Sequence, residues 1–226
     1  MDQQDRARYD AMKHDMEEPG AAPVEFLAEE PALIGGPEGT AAASGLGGRK
    51  VAVLVADGFE QVELDGPVEA LRRAGAVVEV IAPDAQHIGH IKGMRHFDPG
   101  HGVTAQWALD QVTPDLYDAL LVPGGLHSPD AMRQSEAHLA FVRAFLEADK
   151  PVAMICHGPW LLADSGLAEG RTVTSWPAIR RDLERAGAKW VDQPVVVDGN
   201  LVTSRQPDDI PAFSRAIVQL MATTAR

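Results

Sequence analysis

Lys150-Pro151-Val152-Ala153-Met154-Ile155-Cys156-His157-Gly158-Pro159-Trp160 decides the fold. Val152 to Ile155 is a short unbroken apolar run, the pattern of a strand buried on both faces of a parallel sheet. Gly158-Pro159 forces a change of direction, and Leu161-Leu162-Ala163 continues as an apolar helix. The chain's single cysteine sits at this strand-to-helix turn, where a tight elbow lifts one reactive side chain above the sheet. Gly158, two residues on, leaves room for the close backbone approach such a turn needs. A helix starting just beyond aims its positive end at the sulfur and favours thiolate. A lone cysteine is also commonly a small buried hydrophobe. An adjoining histidine followed by Gly-Pro is a poor way to build an inert core.

Working outward, 226 residues suffice for one large domain with an appendage. One cysteine makes no intramolecular disulfide, so nothing requires an oxidising compartment. The net charge of −13 argues against nucleic acid as a partner, because phosphate binding needs clustered Lys and Arg. No apolar run is long enough to cross a membrane, and Met1 to Arg6 lacks the basic start and apolar stretch of a signal peptide. The expected location is cytoplasmic.

Residues 1–48 stand apart as an acidic N-terminal extension and linker. They hold ten acidic and three basic residues, net −7. Gly35-Gly36-Pro37 and residues 41–48 read as linker. Tyr9, Met12 and Met16 share a helical face, so a short helix over Gln3 to Glu17 and a disordered acidic tail are both readings. If ordered, the segment is expected to pack Tyr9, Met12, Phe26 and Leu27 onto a subunit surface.

The folded domain is expected over 49–226. Lys50 to Ala56 reads as a buried strand, Asp57-Gly58-Phe59 as a turn, and Glu60 to Ala74 as a helix closed by Gly75. Val77 to Ala82 completes a βαβ unit. Residues 84–112 read as irregular, with short antiparallel strands. Ala119 to Val122 is a third core strand, followed by helices near Asp130–Ser135 and Ala137–Ala148. After the elbow come a strand over Arg171–Ser175, a helix over Pro177–Ala186, a hairpin about Asp198-Gly199-Asn200, and a last helix from about Asp208 to Met221. This alternation predicts an α/β fold, a doubly wound, mostly parallel sheet between helices. Sites in such sheets lie beyond the carboxyl ends of the strands. The Asp57 turn, Gly124-Gly125 and Cys156 all fall there.

Asp57-Gly58-Phe59-Glu60-Gln61-Val62-Glu63-Leu64, Pro123-Gly124-Gly125 before Ser128-Pro129-Asp130, Ile155-Cys156-His157-Gly158-Pro159, Val196 to Asn200 and Thr203 to Asp209 together resemble the ThiJ/PfpI family. That family belongs to the class I glutamine-amidotransferase-like superfamily, and the resemblance covers about residues 49–222. It implies a flavodoxin-like sheet, Cys156 as nucleophile, Glu60 as the carboxyl that contacts the sulfur, and a homodimer or larger homo-oligomer. In PfpI-type members the histidine after the cysteine is paired with an acid from a neighbouring subunit. Asp130 holds that position here, an aspartate where some members carry glutamate, and Leu126 lengthens the loop by one. A similar His-Phe-Asp loop in a bacterial stress-protein branch implies that His96 lines the mouth of the site.

The residues carry roles of their own beside the resemblance. The N–H groups of Gly125 and His157, with Gly124 and Gly158 giving bare backbone, suit an oxyanion hole. Carboxylate and thiolate side by side are not both charged cheaply, so Glu60 is expected to hold a proton, donate to the sulfur and later shuttle it. Glu63 and Asp65 read instead as acids favoured by a helix N-terminus. With the helix start and His157, a protonated Glu60 predicts a depressed thiol pKa and Cys156 as the site of sulfenic or sulfinic acid formation. Trp160 reads as an aromatic wall of the pocket or as core packing. His87, His90, His96 and His101 crowd one segment, but their spacings match no zinc pattern. No metal or cofactor is expected.

No histidine follows His157, and a glutaminase needs one well downstream of its cysteine, so ammonia transfer from glutamine is not expected. Three functions remain. The resemblance implies glyoxalase III- or deglycase-like chemistry on small 2-oxoaldehydes. It also implies a peptidase of PfpI type, whose site must admit a peptide. A non-enzymatic oxidation sensor or chaperone is the third.

Overall fold

The computed structural model describes residues 45–224. The expected helix over Gln3–Glu17 and the packing of Tyr9, Met12, Phe26 and Leu27 lie outside them. Elements run in the order β1 Lys50–Leu54, β2 Phe59–Glu60, α1 Gln61–Arg73, β3 Val77–Ala82, β4 Gly93–Arg95, β5 Asp98–Pro99, β6 Trp107–Ala108, β7 Ala119–Val122, α2 His127–Arg133, α3 Glu136–Glu147, β8 Val152–Ile155, α4 Trp160–Ser165, β9 Thr172–Val173, α5 Arg180–Arg185, β10 Lys189–Trp190, β11 Val195–Asp198, β12 Leu201–Ser204 and α6 Ile210–Thr223.

The main sheet has the order β11-β12-β8-β7-β1-β3-β6. Its neighbours pair in parallel except for the β11–β12 hairpin. The apolar runs read as central strands are central: β1, β7 and β8 are buried at nearly every residue. Alternation sends their side chains to opposite faces. Val51 and Val53 join one core cluster with Leu64, Val68 and Leu71 of α1 and Phe213, Ile217 and Met221 of α6. Ala52 and Leu54 join the other, with Met132, Phe145, Leu161 and Leu162 of α2, α3 and α4. Helices therefore cover both faces, and this is the doubly wound α/β architecture.

Some boundaries differ from the sequence reading, each for a local reason. Helix α1 begins at Gln61, because Glu60 is extended (φ −76°, ψ 117°) and β2 pairs with Gly93–Met94. Helix α2 begins at His127, with Pro129 in the first turn, where its missing N–H costs nothing. The strand expected over Arg171–Ser175 shrinks to two residues paired with β10 outside the main sheet. The amide of Thr174 goes to Thr203 Oγ1 instead, and that of Trp176 to the Cys156 carbonyl. Residues 45–48 are not free linker: Leu46 is fully buried among the α1 core residues, and its carbonyl accepts the Arg49 amide.

Candidate active site

The turn after β8 is a strained elbow. Cys156 has φ 60°, the left-handed region that a side chain pays to enter. The surroundings fix it there. Its amide donates to the Ser204 carbonyl, and its own carbonyl accepts from Trp176. Gly158 lies so close that a Cβ on it would sit 2.8 Å from the Val122 carbonyl oxygen. Gly125, at φ 89°, lies against the Gly58–Glu60 backbone, where a Cβ would meet the Gly58 oxygen at 2.4 Å. The Ser128 hydroxyl accepts the Ala56 amide at 2.9 Å, tying the end of β1 to the start of α2. Three strand ends thus converge on the cysteine.

Cys156 is 7 % exposed, and the N–H groups of Gly125 and His157 both donate to its sulfur. His157 Nδ1 lies 3.2 Å from Sγ. The ring stacks near Trp176, centroids 6.1 Å apart, and tilts against Trp160 at 5.0 Å. Burial lowers the His157 pKa to about 4, so at neutral pH the imidazole is uncharged.

The carboxyl against the sulfur is Glu63, which corrects the expectation for Glu60. Glu63 is fully buried and hydrogen-bonded with Cys156. Its Oε2 accepts the Gly124 amide at 2.9 Å, and Oε1 has no nitrogen or oxygen partner. Glu60 lines the same cavity from the strand just before the helix, and its Oε2 accepts the His96 amide at 2.9 Å. The extended backbone at Glu60 separates the two roles, since helical geometry begins only after it.

Both members of the Cys156–Glu63 pair are pushed upward. Burial and the charge of Glu60 raise Glu63 to about 8. Burial and the charge of Glu63 push the Cys156 thiol well above its ordinary value. Groups this close share a proton and titrate together. The depressed thiol expected from the sequence is therefore not what the site produces. One supposed cause, His157, is uncharged. Another, the helix start, is spent locally: the amides of Gly158, Trp160 and Leu161 donate to the carbonyls of Ile155, His157 and Gly158.

The cavity above the sulfur measures about 130 Å³. Glu60, Glu63 and His96 form one side, with Leu126, Trp176 and Pro207 as its apolar walls. Trp160 is not among its lining residues. Its ring lies behind His157, with the Arg133 guanidinium 4.6 Å from its centroid and its Nε1–H donating to Asp182. The aromatic wall is Trp176, which sequence reading passed over. Asp130 is exposed on the first turn of α2, where its oxygens accept from Gln134. Among the described residues no hydrogen bond joins it to His157. The other histidines disperse: His87 pairs with Asp84, and His101 meets Gln61 and Asp65. No group of three or more His, Cys, Asp or Glu among the described residues is arranged to hold a metal ion. No described helix is long and apolar enough to cross a membrane.

A buried cysteine on a strained strand-to-helix turn, facing a carboxyl and two backbone donors at the carboxyl edge of a parallel sheet, defines a class of α/β proteins built around a nucleophile elbow. The chain belongs to the DJ-1/PfpI family, whose model matches residues 49–220. Protein/nucleic acid deglycase 2 of Escherichia coli is 44 % identical over 174 residues, 76 % of this chain and 98 % of that protein. A Bacillus subtilis protein, YraA, whose name assigns it provisionally to the cysteine proteases, is 43 % identical over 173 residues, 76 % of this chain and 98 % of its own. Among solved structures, the chain resembles a two-domain protein of Anabaena variabilis with DJ-1/ThiJ/PfpI-like and ferritin-like domains. That match has a TM-score of 0.70 and 35 % identity, and covers 76 % of this chain and 47 % of the other.

Proposed function

We propose that this chain converts small 2-oxoaldehydes to hydroxy acids through Cys156. The observation that carries the reading is the juxtaposition of Cys156 with a fully buried Glu63 beneath a cavity of about 130 Å³. That volume is well below the ~300–1,000 Å³ of drug-sized sites. It suits a molecule of a few heavy atoms better than a peptide. The deglycase name of a relative at 44 % identity points the same way.

The steps use this chain's own groups. Cys156 and Glu63 share their proton, and the reactive form is the one with the proton on Glu63 and the charge on sulfur. Thiolate adds to the aldehyde carbon, and the oxygen that gains the electron pair takes the Glu63 proton, giving a hemithioacetal. The N–H groups of Gly125 and His157 are placed for charge developing beside the sulfur. Glu63, now a carboxylate, moves the proton from the former aldehyde carbon to the neighbouring carbon, while the hemithioacetal hydroxyl gives its proton to the ketone oxygen, so the ketone becomes an alcohol and the first carbon a thioester. The resulting thioester is hydrolysed by one water to a hydroxy acid and the free thiol. One carbon is oxidised, its neighbour is reduced, and no external redox partner enters.

The test is turnover of methylglyoxal followed as lactate. Cys156→Ala should abolish it. Glu63→Gln should lower kcat by at least the roughly hundredfold typical of a general acid–base, while iodoacetamide still alkylates the sulfur. Wild-type rates no higher than those of Cys156→Ala would overturn the reading. The peptidase reading draws on the Cys156–His157 contact and the name of YraA. Casein cleavage lost in Cys156→Ala would favour it instead.

A further inference from the structure

Among the described residues the two carboxyls of the cavity face no lysine or arginine. Lysine and arginine are absent from its lining, and the lining imidazole that touches the sulfur is uncharged by burial. Arg133 grips Asp164, Arg205 grips Asp192 and Asp209, and Arg95, exposed beside His96, is not among the lining residues. The polar donors at the sulfur are two backbone N–H groups, which orient an oxygen but bring no net charge. Burial favours the protonated form of Glu63, which leaves Glu60, whose charge acts on Glu63, as the carboxylate that sets the charge of the cavity. Glu60 is itself only 8 % exposed, where a charge is poorly screened. Its position is fixed by the His96 amide, whose residue holds φ 57° at the mouth. The remaining walls, Leu126, Trp176 and Pro207, are apolar.

We propose that Glu60 is a charge filter: it restricts the Cys156 cavity to uncharged electrophiles and drives out anions. The substrate side of this inference rests on the oxoaldehyde reading. There the filter has a direction, because the substrate enters neutral and the hydroxy acid leaves as an anion at neutral pH. The site repels its product and not its substrate. It rejects oxoaldehydes that carry a carboxylate or phosphate, and admits those whose second substituent is hydrogen or a short alkyl group.

Two reagents of nearly equal size test the filter without assuming any enzymatic activity. Iodoacetamide and iodoacetate alkylate a thiolate by the same displacement: an S–C bond forms, the C–I bond breaks, and iodide leaves. The first is neutral and the second anionic. The ratio of their second-order rates at Cys156, divided by the same ratio for a free thiol such as glutathione, should be tenfold or more. Glu60→Gln should bring it to within about threefold of unity, and Glu60→Asp, which keeps the charge, should preserve most of it. A general change in thiol reactivity cancels in the ratio, so a merely structural role for Glu60 would not move it. A wild-type ratio near one, or one unchanged in Glu60→Gln, overturns the filter. A normal filter with no methylglyoxal turnover would leave it standing and sink only the oxoaldehyde reading. For an active enzyme, 2-oxopentanal should exceed 4,5-dioxopentanoate in kcat/KM by a similar factor, and lactate should begin to inhibit only in Glu60→Gln.

Discussion

At the scale of the residue, Glu63 is a fully buried acid whose ionisation the fold opposes. Its pKa is raised from 4.5 to about 8, so the fold favours its protonated form. The stability tied to that proton is full below 4.5 and is lost as pH rises through about 8. Glu63→Gln keeps the shape and removes the ionisation. It should gain at least about 1 kcal/mol at pH 8 relative to wild type, a rise of roughly 2–4 °C in Tm for a domain this size, and little at pH 4. Thermal melts at the two pH values check the sign; an equal shift at both would mean that Glu63 is not held protonated by the fold. The same substitution should simplify the pH profile of Cys156 alkylation to one step, since the pair would have lost one of its two titrating members.

At the scale of the element, the clearest departure from expectation is the approach to β1. Gly45-Leu46-Gly47-Gly48 has the composition of a linker, but Leu46 is fully buried in the α1 core. Leu46→Ala should cost about 2–5 kcal/mol, as large-to-small changes in cores do, measured by urea unfolding. A cost below 0.5 kcal/mol would return the stretch to the linker. Central strands were legible because β1, β7 and β8 are apolar at every residue but Lys50, and parallel burial leaves no other place for such runs. Cys156, Gly125 and His157 were legible because each stands where an apolar strand run ends in a glycine-bearing turn, the edge of a parallel sheet where sites lie. Choosing Glu63 over Glu60 was harder. Both fit the same helix until its first residue is known, and only the extended backbone at Glu60 separates them. One signal was present: Glu63, Pro67 and Leu71 recur every fourth residue and are all buried. Trp176 was missed because it reaches the site through a long-range bond, its amide to the Cys156 carbonyl, which no local pattern announces.

At the scale of the whole molecule, the mouth of the site is the part of the surface that looks unfinished. Phe97 is 79 % exposed beside His96, and Leu126, which lines the cavity, is 55 % exposed. Asp130 stands exposed one turn past Leu126, and among the described residues no bond joins it to His157 of its own chain. We propose that the chain works as a homo-oligomer whose neighbouring subunit covers this mouth, the commonest fate of such a surface among symmetric assemblies. Light scattering at micromolar concentration should give at least twice the mass of one chain, and Phe97→Ser with Leu126→Ser should shift it toward the monomer. A wild-type monomer would exclude a site completed by Asp130 of a second chain. That outcome would leave the Glu63 chemistry untouched, because every group it uses comes from one subunit.

The left-handed backbone at Cys156 has a consequence for how such a protein can change over generations. A non-glycine residue at φ 60° costs about 1–2 kcal/mol, a sizeable share of the roughly 5–15 kcal/mol that separates folded from unfolded chains. Glycine would relieve that cost at the same place and end the chemistry. Durability and reactivity therefore pull in opposite directions at one codon, and a copy freed from the need to react has an easy path to a sturdier, silent descendant. A cysteine kept at this position is a sign that selection is still acting on its sulfur.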